Sequence, residues 1–155
     1  MISFLYKNLR RLLKYGMTIS TLGLIVSVLI QIYGRFFLAA SPPWTEEASR
    51  LFFIYAVAFG AAPALREGYF IALDFFPKNL SPTWNQRLSL FVRFTLLAFC
   101  ALMAWYSWQF VSLGWAERSP GMHLKMGWVF LSVFVLLTAI LLLDLLHFLR
   151  QQSAK

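Results

Sequence analysis

Six carboxylates, two histidines and one cysteine are all this chain offers for acid–base, metal or nucleophilic chemistry, and their spacing assembles none of it. His123 and His147 lie at opposite ends of one apolar stretch, about 36 Å apart at about 1.5 Å per helical residue. One haem or metal cannot use both. A membrane cytochrome needs histidines facing each other across helices, and one chain with this placement cannot supply them; a ligand shared with a partner stays open. Cys100 has no second cysteine to pair with and reads as a small buried apolar residue. There is no Gly-rich phosphate loop, no Cys pair with metal spacing and no nucleophile beside a base. The pattern points away from an enzyme, with no catalytic residue, metal or cofactor expected.

The carboxylates are Glu46, Glu47, Glu67, Asp74, Glu117 and Asp144, all in connections or near the ends of apolar stretches. A carrier places ionisable groups or broken helices near the membrane midplane. No acid stands there, so the parts of a self-sufficient carrier are missing.

The elements that must position these residues are four apolar stretches: Met17 to Leu38, Glu47 to Leu65, Leu88 to Leu113 and Met126 to His147. A helix needs roughly 20 apolar residues to cross a hydrocarbon core of about 30 Å, and these meet or nearly meet that length. The second is marginal and counts Glu47 and Arg50 at its end, so those residues belong at headgroup level. With 60% hydrophobic and 13% charged residues, little chain is left for a soluble domain. The expectation is an all-α integral membrane protein, residues 1–155 forming a single membrane domain of four antiparallel up-and-down transmembrane helices. Fourteen Lys and Arg against six Asp and Glu do not mark a nucleic-acid binder, because the charges collect at segment ends.

Before the first span, Lys7, Arg10, Arg11 and Lys14 recur at helical spacing with Leu5, Leu9, Leu12 and Leu13 lining much of the opposite face. Residues 1–15 are therefore expected as an amphipathic interfacial helix with its charges at the lipid headgroups. The basic start and apolar run read as a retained signal-anchor, since the run exceeds a signal core and Leu38-Ala39-Ala40-Ser41 is a poor cleavage site. Basic residues cluster before span one, between spans two and three (Arg66, Lys78, Arg87, with Arg93 just inside), and after span four (Arg150, Lys155). On the other side Glu46, Glu47 and Glu117 partly offset Arg35, Arg50, Arg118 and Lys125. The positive-inside rule puts both termini in the cytoplasm.

Several residues invite structural roles. Thr45 is expected to cap helix two, with Glu46 and Glu47 at the positive end of its dipole. Arg35, Glu46, Glu47 and Arg50 are expected to form an interlocked ionic group at the outer turn, since Glu46 and Arg50 are four apart on one helix face. Arg93 and Asp144 fall in the same inner third of neighbouring helices and are expected to pair, because a lone charge deep in a transmembrane helix costs about 2.5–3.5 kcal/mol. Ala56, Gly60 and Ala64 recur every four residues in span two, a strip where backbones approach closely, against this chain's own helices or a partner's. Phe52, Phe53, Phe59, Phe91, Phe94, Phe99, Phe130 and Phe134 cannot all enter so small a core.

From Gln31 to Asp74 the chain reads QIYGRFFLAASPPWTEEASRLFFIYAVAFGAAPALREGYFIALD. This resembles the small membrane subunit of tripartite ATP-independent periplasmic (TRAP) transporters, at Arg35, Trp44, Glu46, Glu47, Arg50, Gly60, Ala61, Arg66, Ile71 and Asp74. Phe70 and Leu73 stand where the family frequently has histidine and valine, and Lys125 where proline is expected. The resemblance implies a non-catalytic small permease subunit in a bacterial inner membrane. It would brace the scaffold of a much larger, sodium-coupled membrane subunit while a periplasmic substrate-binding protein delivers an organic acid, a carboxylate or sugar acid such as sialic acid. Implied partners are that large subunit, the binding protein and membrane lipids, with no nucleic acid. The alternative from a different class is a membrane-anchor or assembly subunit of a redox complex, which would copurify with haem or quinone.

Overall fold

The structure, a computed structural model, describes residues 2–37, 42–67 and 82–152. They form the α-helices α1 (Ile2–Phe37), α2 (Pro43–Glu67), α3 (Pro82–Gly114) and α4 (Gly127–Gln152). All four are long and apolar enough to cross a membrane, which agrees with a four-span all-α membrane fold.

Helix α1 corrects one expectation. Its 36 residues run unbroken through Tyr15, Gly16 and Met17, so residues 2–15 are one continuous helix with the first apolar stretch. Packing explains this. Tyr6 and Leu13 are buried with Ala62, Ala139 and Leu143 where α1, α2 and α4 meet. A Cβ on Gly16 would stand 2.9 Å from the Phe59 ring, so α2 clamps the helix at the residue where a glycine would otherwise let it break. The amphipathic pattern persists in part: Leu13 is buried and Lys7 and Arg11 are exposed, but Leu5 and Leu12 are exposed as well.

Helix α2 begins three residues earlier than a Thr45 cap requires. Pro43 occupies the first helical position, where its missing N–H costs nothing and its fixed φ fits. Thr45 therefore lies inside the first turn, fully buried, with its hydroxyl and its N–H both donating to the Pro42 carbonyl at 2.7 and 3.1 Å. Glu46 keeps its expected place in that turn. Pro63 sits within α2 with its ring buried, and the helix continues past it.

Helix α4 is the hub: it packs on α1, α2 and α3, while α1 and α2 also pack on each other. The main packing of α3 is on α4, through Cys100, Ala104 and Leu137 with Phe134 and Ile140 beside them. In lipid the apolar tails offer helices as good a home as each other, so close steric fit and polar pairs decide which faces meet. Glycines of α1 provide one such fit. Gly16 receives the Phe59 ring and Gly23 the Phe52 ring, so seven residues along α1 match seven along α2, with residue numbers rising on one helix as they fall on the other. The same inverse order holds between α3 and α4, from Arg93 beside Asp144 to Phe110 against Phe130.

Of the phenylalanines too many for one core, Phe52 and Phe59 fill these notches and Phe130 and Phe134 meet α3 rings. Phe53, Phe91, Phe94 and Phe99 are exposed on the surface.

Candidate functional site

Two polar clusters stand out on this apolar scaffold, one at each end of the helices. At the turn between α1 and α2 the expected four-residue ionic group is only partly assembled. Arg50 Nη2 pairs with Glu46 Oε1 one helical turn away, both side chains being largely exposed. Arg35 is exposed at the end of α1 and makes no ion pair with a described residue. Trp44 is partly exposed in the first turn of α2. Glu47 turns the other way, toward the loop between α3 and α4. Its Oε2 accepts from the Ser119 hydroxyl at 2.6 Å and the Met122 N–H at 2.7 Å, and its Oε1 accepts from the Gly121 N–H at 2.8 Å.

The reason is geometric. Neighbouring residues on a helix point about 100° apart, so Glu46 and Glu47 face different surroundings. The Glu46 side lies along the same helix face as Arg50, while the Glu47 side meets the loop. That loop is closed by an isolated β-bridge between Arg118 and Lys125 and by the Ser119 N–H donating to the Leu124 carbonyl at 2.8 Å. Beside it opens a cavity of about 490 Å³, walled by Glu47, Arg50, Phe53 and Ile54 of α2 and by Ser119, Pro120 and Met122 of the loop. Sequence reasoning missed the loop's role. The signal was present in Ser119-Pro120-Gly121, a turn whose hydroxyl and N–H groups need an acceptor, together with an acid at the outer end of span two.

At the opposite end of the helices the expected pair is formed. Arg93 Nε donates to Asp144 Oδ2 at 2.7 Å, and Arg93 Nη2 to the Asp144 carbonyl at 3.0 Å. The Asp144 side chain is buried, and the Arg93 guanidinium lies 4.8 Å from the Phe148 ring centroid. The half-buried cation thus meets a carboxylate, a carbonyl and an aromatic face.

Of the small-residue strip, Gly60 meets the Met17 side chain of this chain's own α1, with a Cβ there 3.1 Å from the sulfur. The deepest small residues of α2 are Ala58 and Ala62, one turn apart, with Ala56 and Ala64 only half-buried. Arg66 belongs to α2, but its side chain lies outside the described residues, as does Asp74 with the connection around it. His123 is exposed in the outer loop, and His147 stacks obliquely near Tyr6 with ring centroids 6.1 Å apart. Among the described residues no group of three or more His, Cys, Asp or Glu could hold a metal ion. What the two clusters do chemically is fasten helices and a loop.

Residues 24–154 match the family described as "Tripartite ATP-independent periplasmic transporters, DctQ component". The match takes in α2, α3, residues 24–37 of α1 and α4, and so contains both polar clusters. No curated protein matches the chain. With most of its length covered by that one family, the chain belongs to the DctQ component family, the small membrane component of TRAP transporters.

Proposed function

We propose that this chain is the non-catalytic small permease subunit of a sodium-coupled TRAP transporter. In this reading it sits in a bacterial inner membrane and braces the scaffold of the large membrane subunit. A periplasmic substrate-binding protein delivers an organic acid to that assembly. The family match over residues 24–154 carries the reading. The distribution of polar groups supports it: the two clusters are engaged in holding this chain together, which leaves apolar surface as its main means of contact. Helix α3 adds to this, since it packs chiefly on α4 and leaves Phe91, Phe94 and Trp105 uncovered.

The chain acts as one membrane domain, its helices running up and down in turn with both termini in the cytoplasm. The inverse contact order of α1 with α2 and of α3 with α4 supports the alternation. The basic residues gathered near the termini support the orientation. Arg35, Trp44, Arg66 and Asp74 remain the candidates for contact with the other components, while Gly60, Arg93 and Asp144 serve the chain's own packing. Glu46 and Arg50 face outward beside the outer cavity, where a periplasmic partner would arrive.

Reconstitution tests the reading. Liposomes holding this chain with the large subunit should take up an organic anion on a sodium gradient when the binding protein is added, and liposomes lacking either membrane subunit should not. Sodium-driven uptake by this chain alone would overturn the bracing role.

A further inference from the structure

The loop between α3 and α4 treats Glu47 as a receptor treats a carboxylate ligand. Three donors within four consecutive residues, the Ser119 hydroxyl and the Gly121 and Met122 N–H groups, converge on both oxygens of one carboxylate at 2.6–2.8 Å. Successive N–H groups turned to one side of a tight turn make a concavity that binds anions. This one is closed by bonds that do not involve Glu47. Arg118 and Lys125 bridge, the Ser119 N–H donates to the Leu124 carbonyl, and the His123 N–H donates to the Ser119 carbonyl at 3.2 Å. His123 takes a φ of 53°, a left-handed conformation uncommon outside glycine, which turns the chain back at that point. The seat is also shaped for its occupant. A Cβ on Gly121 would stand 3.0 Å from the Glu47 carboxyl carbon and 3.1 Å from Oε1, so only a glycine lets the carboxylate in without displacement.

We propose that Ser119–Met122 is a preformed carboxylate-binding nest and that Glu47 is its tethered ligand, latching the outer loop to α2. With the Glu47 carboxylate removed, the nest takes a small free carboxylate in its place. The latch joins residues 72 to 75 apart in sequence and ties the far end of the α3–α4 pair to the start of α2. It also holds Pro120 and Met122 in the wall of the outer cavity. Nothing in this depends on which solute the transporter carries or on which partner the chain meets.

The test is backbone amide exchange on the full chain in nanodiscs. Glu47→Ala should speed exchange at Gly121 and Met122 by about tenfold or more, the loss of a charge-assisted bond at each. The Ser119 amide, bonded within the loop, should keep its protection. Millimolar formate or acetate should then restore protection at Gly121 and Met122 in the variant, and chloride at the same ionic strength should not. Unchanged exchange in Glu47→Ala, acceleration that formate and acetate leave untouched, or equal restoration by chloride would each overturn the proposal. Should that variant not fold, Gly121→Ala and Ser119→Ala decide with Glu47 in place. Both should speed exchange at Met122, and wild-type protection in both would overturn the latch.

Discussion

Arg93 of α3 grips Asp144 of α4 twice, once at the carboxylate and once at the main-chain carbonyl, and lays its guanidinium against Phe148 one turn further on. The pair lies where α3 has its main neighbour, so it adds a polar fastening to the apolar packing of α3 on α4. Breaking a buried ion pair by removing one partner costs about 3–5 kcal/mol. Arg93→Leu and Asp144→Leu should therefore each lower the melting temperature in detergent and reduce copurification with the large subunit. The double variant removes both charges and should recover most of the loss. Purely additive damage in the double variant would mean that the two side chains act separately.

The glycines allow a ranked prediction, because what each would strike differs. At Gly114 a new Cβ would meet the Gly127 backbone nitrogen at 2.7 Å as well as the Phe130 ring at 2.6 Å, and backbone cannot step aside. At Gly23 its nearest neighbours would be Phe52 ring atoms, the first at 2.6 Å. At Gly60 it would meet the Met17 sulfur at 3.1 Å, the end of a flexible chain that adapts readily. Overpacking costs about 1–3 kcal/mol. Thermal unfolding should place Gly114→Ala as the most damaging, Gly23→Ala next and Gly60→Ala nearly neutral. Phe52→Leu should partly rescue Gly23→Ala and leave Gly114→Ala unchanged. A Gly60→Ala loss as large as that of Gly114→Ala would refute the ranking.

The spans and the inner pair were legible for the same reason: hydrocarbon imposes a length and penalises a lone charge, and both constraints act on composition along one chain. Arg93 and Asp144 needed only matching depth on neighbouring helices to find each other. The glycine notches were not legible, because Gly16 and Gly23 disclose nothing until the rings of Phe52 and Phe59 are seven residues apart on the facing helix. The unbroken start of α1 was hidden likewise, since Tyr6 and Leu13 are held by Ala139 and Leu143 from the far end of the chain. At the outer turn, charge counting found Glu46 with Arg50 but assigned Glu47 to the same group. Its real donors are two main-chain N–H groups and a serine hydroxyl, which carry no charge to count.

That contrast between adjacent acids can be measured. Glu46 and Arg50 form an exposed pair one turn apart, a kind worth about 0.3–0.5 kcal/mol and weakened by salt. Glu46→Gln and Arg50→Gln should shift the melting temperature little, and less still in high salt. Neither should alter amide exchange in the loop at Gly121 or Met122. A large, salt-insensitive loss in Glu46→Gln would show that this carboxylate has a partner beyond Arg50.

Tyr55 offers a cleaner single bond, since its hydroxyl donates to the Trp128 carbonyl at 2.8 Å and joins α2 to the first turn of α4. The ring has a second task, lying 5.8 Å from the Phe59 ring that fills the Gly16 notch. Tyr55→Phe removes the bond and keeps the ring. The freed carbonyl lies in a helix, where it has a main-chain donor of its own, so the expected cost is small, about 0.5–1 kcal/mol. Tyr55→Leu also removes the ring beside Phe59 and should cost clearly more. The environment of Trp128 should report the difference. Its ring stands edge-on to Trp115 at 5.6 Å, and the Lys125 ammonium lies 5.4 Å from the Trp115 ring. Tryptophan emission should therefore move slightly in Tyr55→Phe as the anchor on α4's first turn is lost, with a larger change in Tyr55→Leu. Equal melting temperatures and equal emission for the two variants would mean that only the hydroxyl of Tyr55 contributes to this contact, and that its ring adds nothing to the packing of Phe59 on α1.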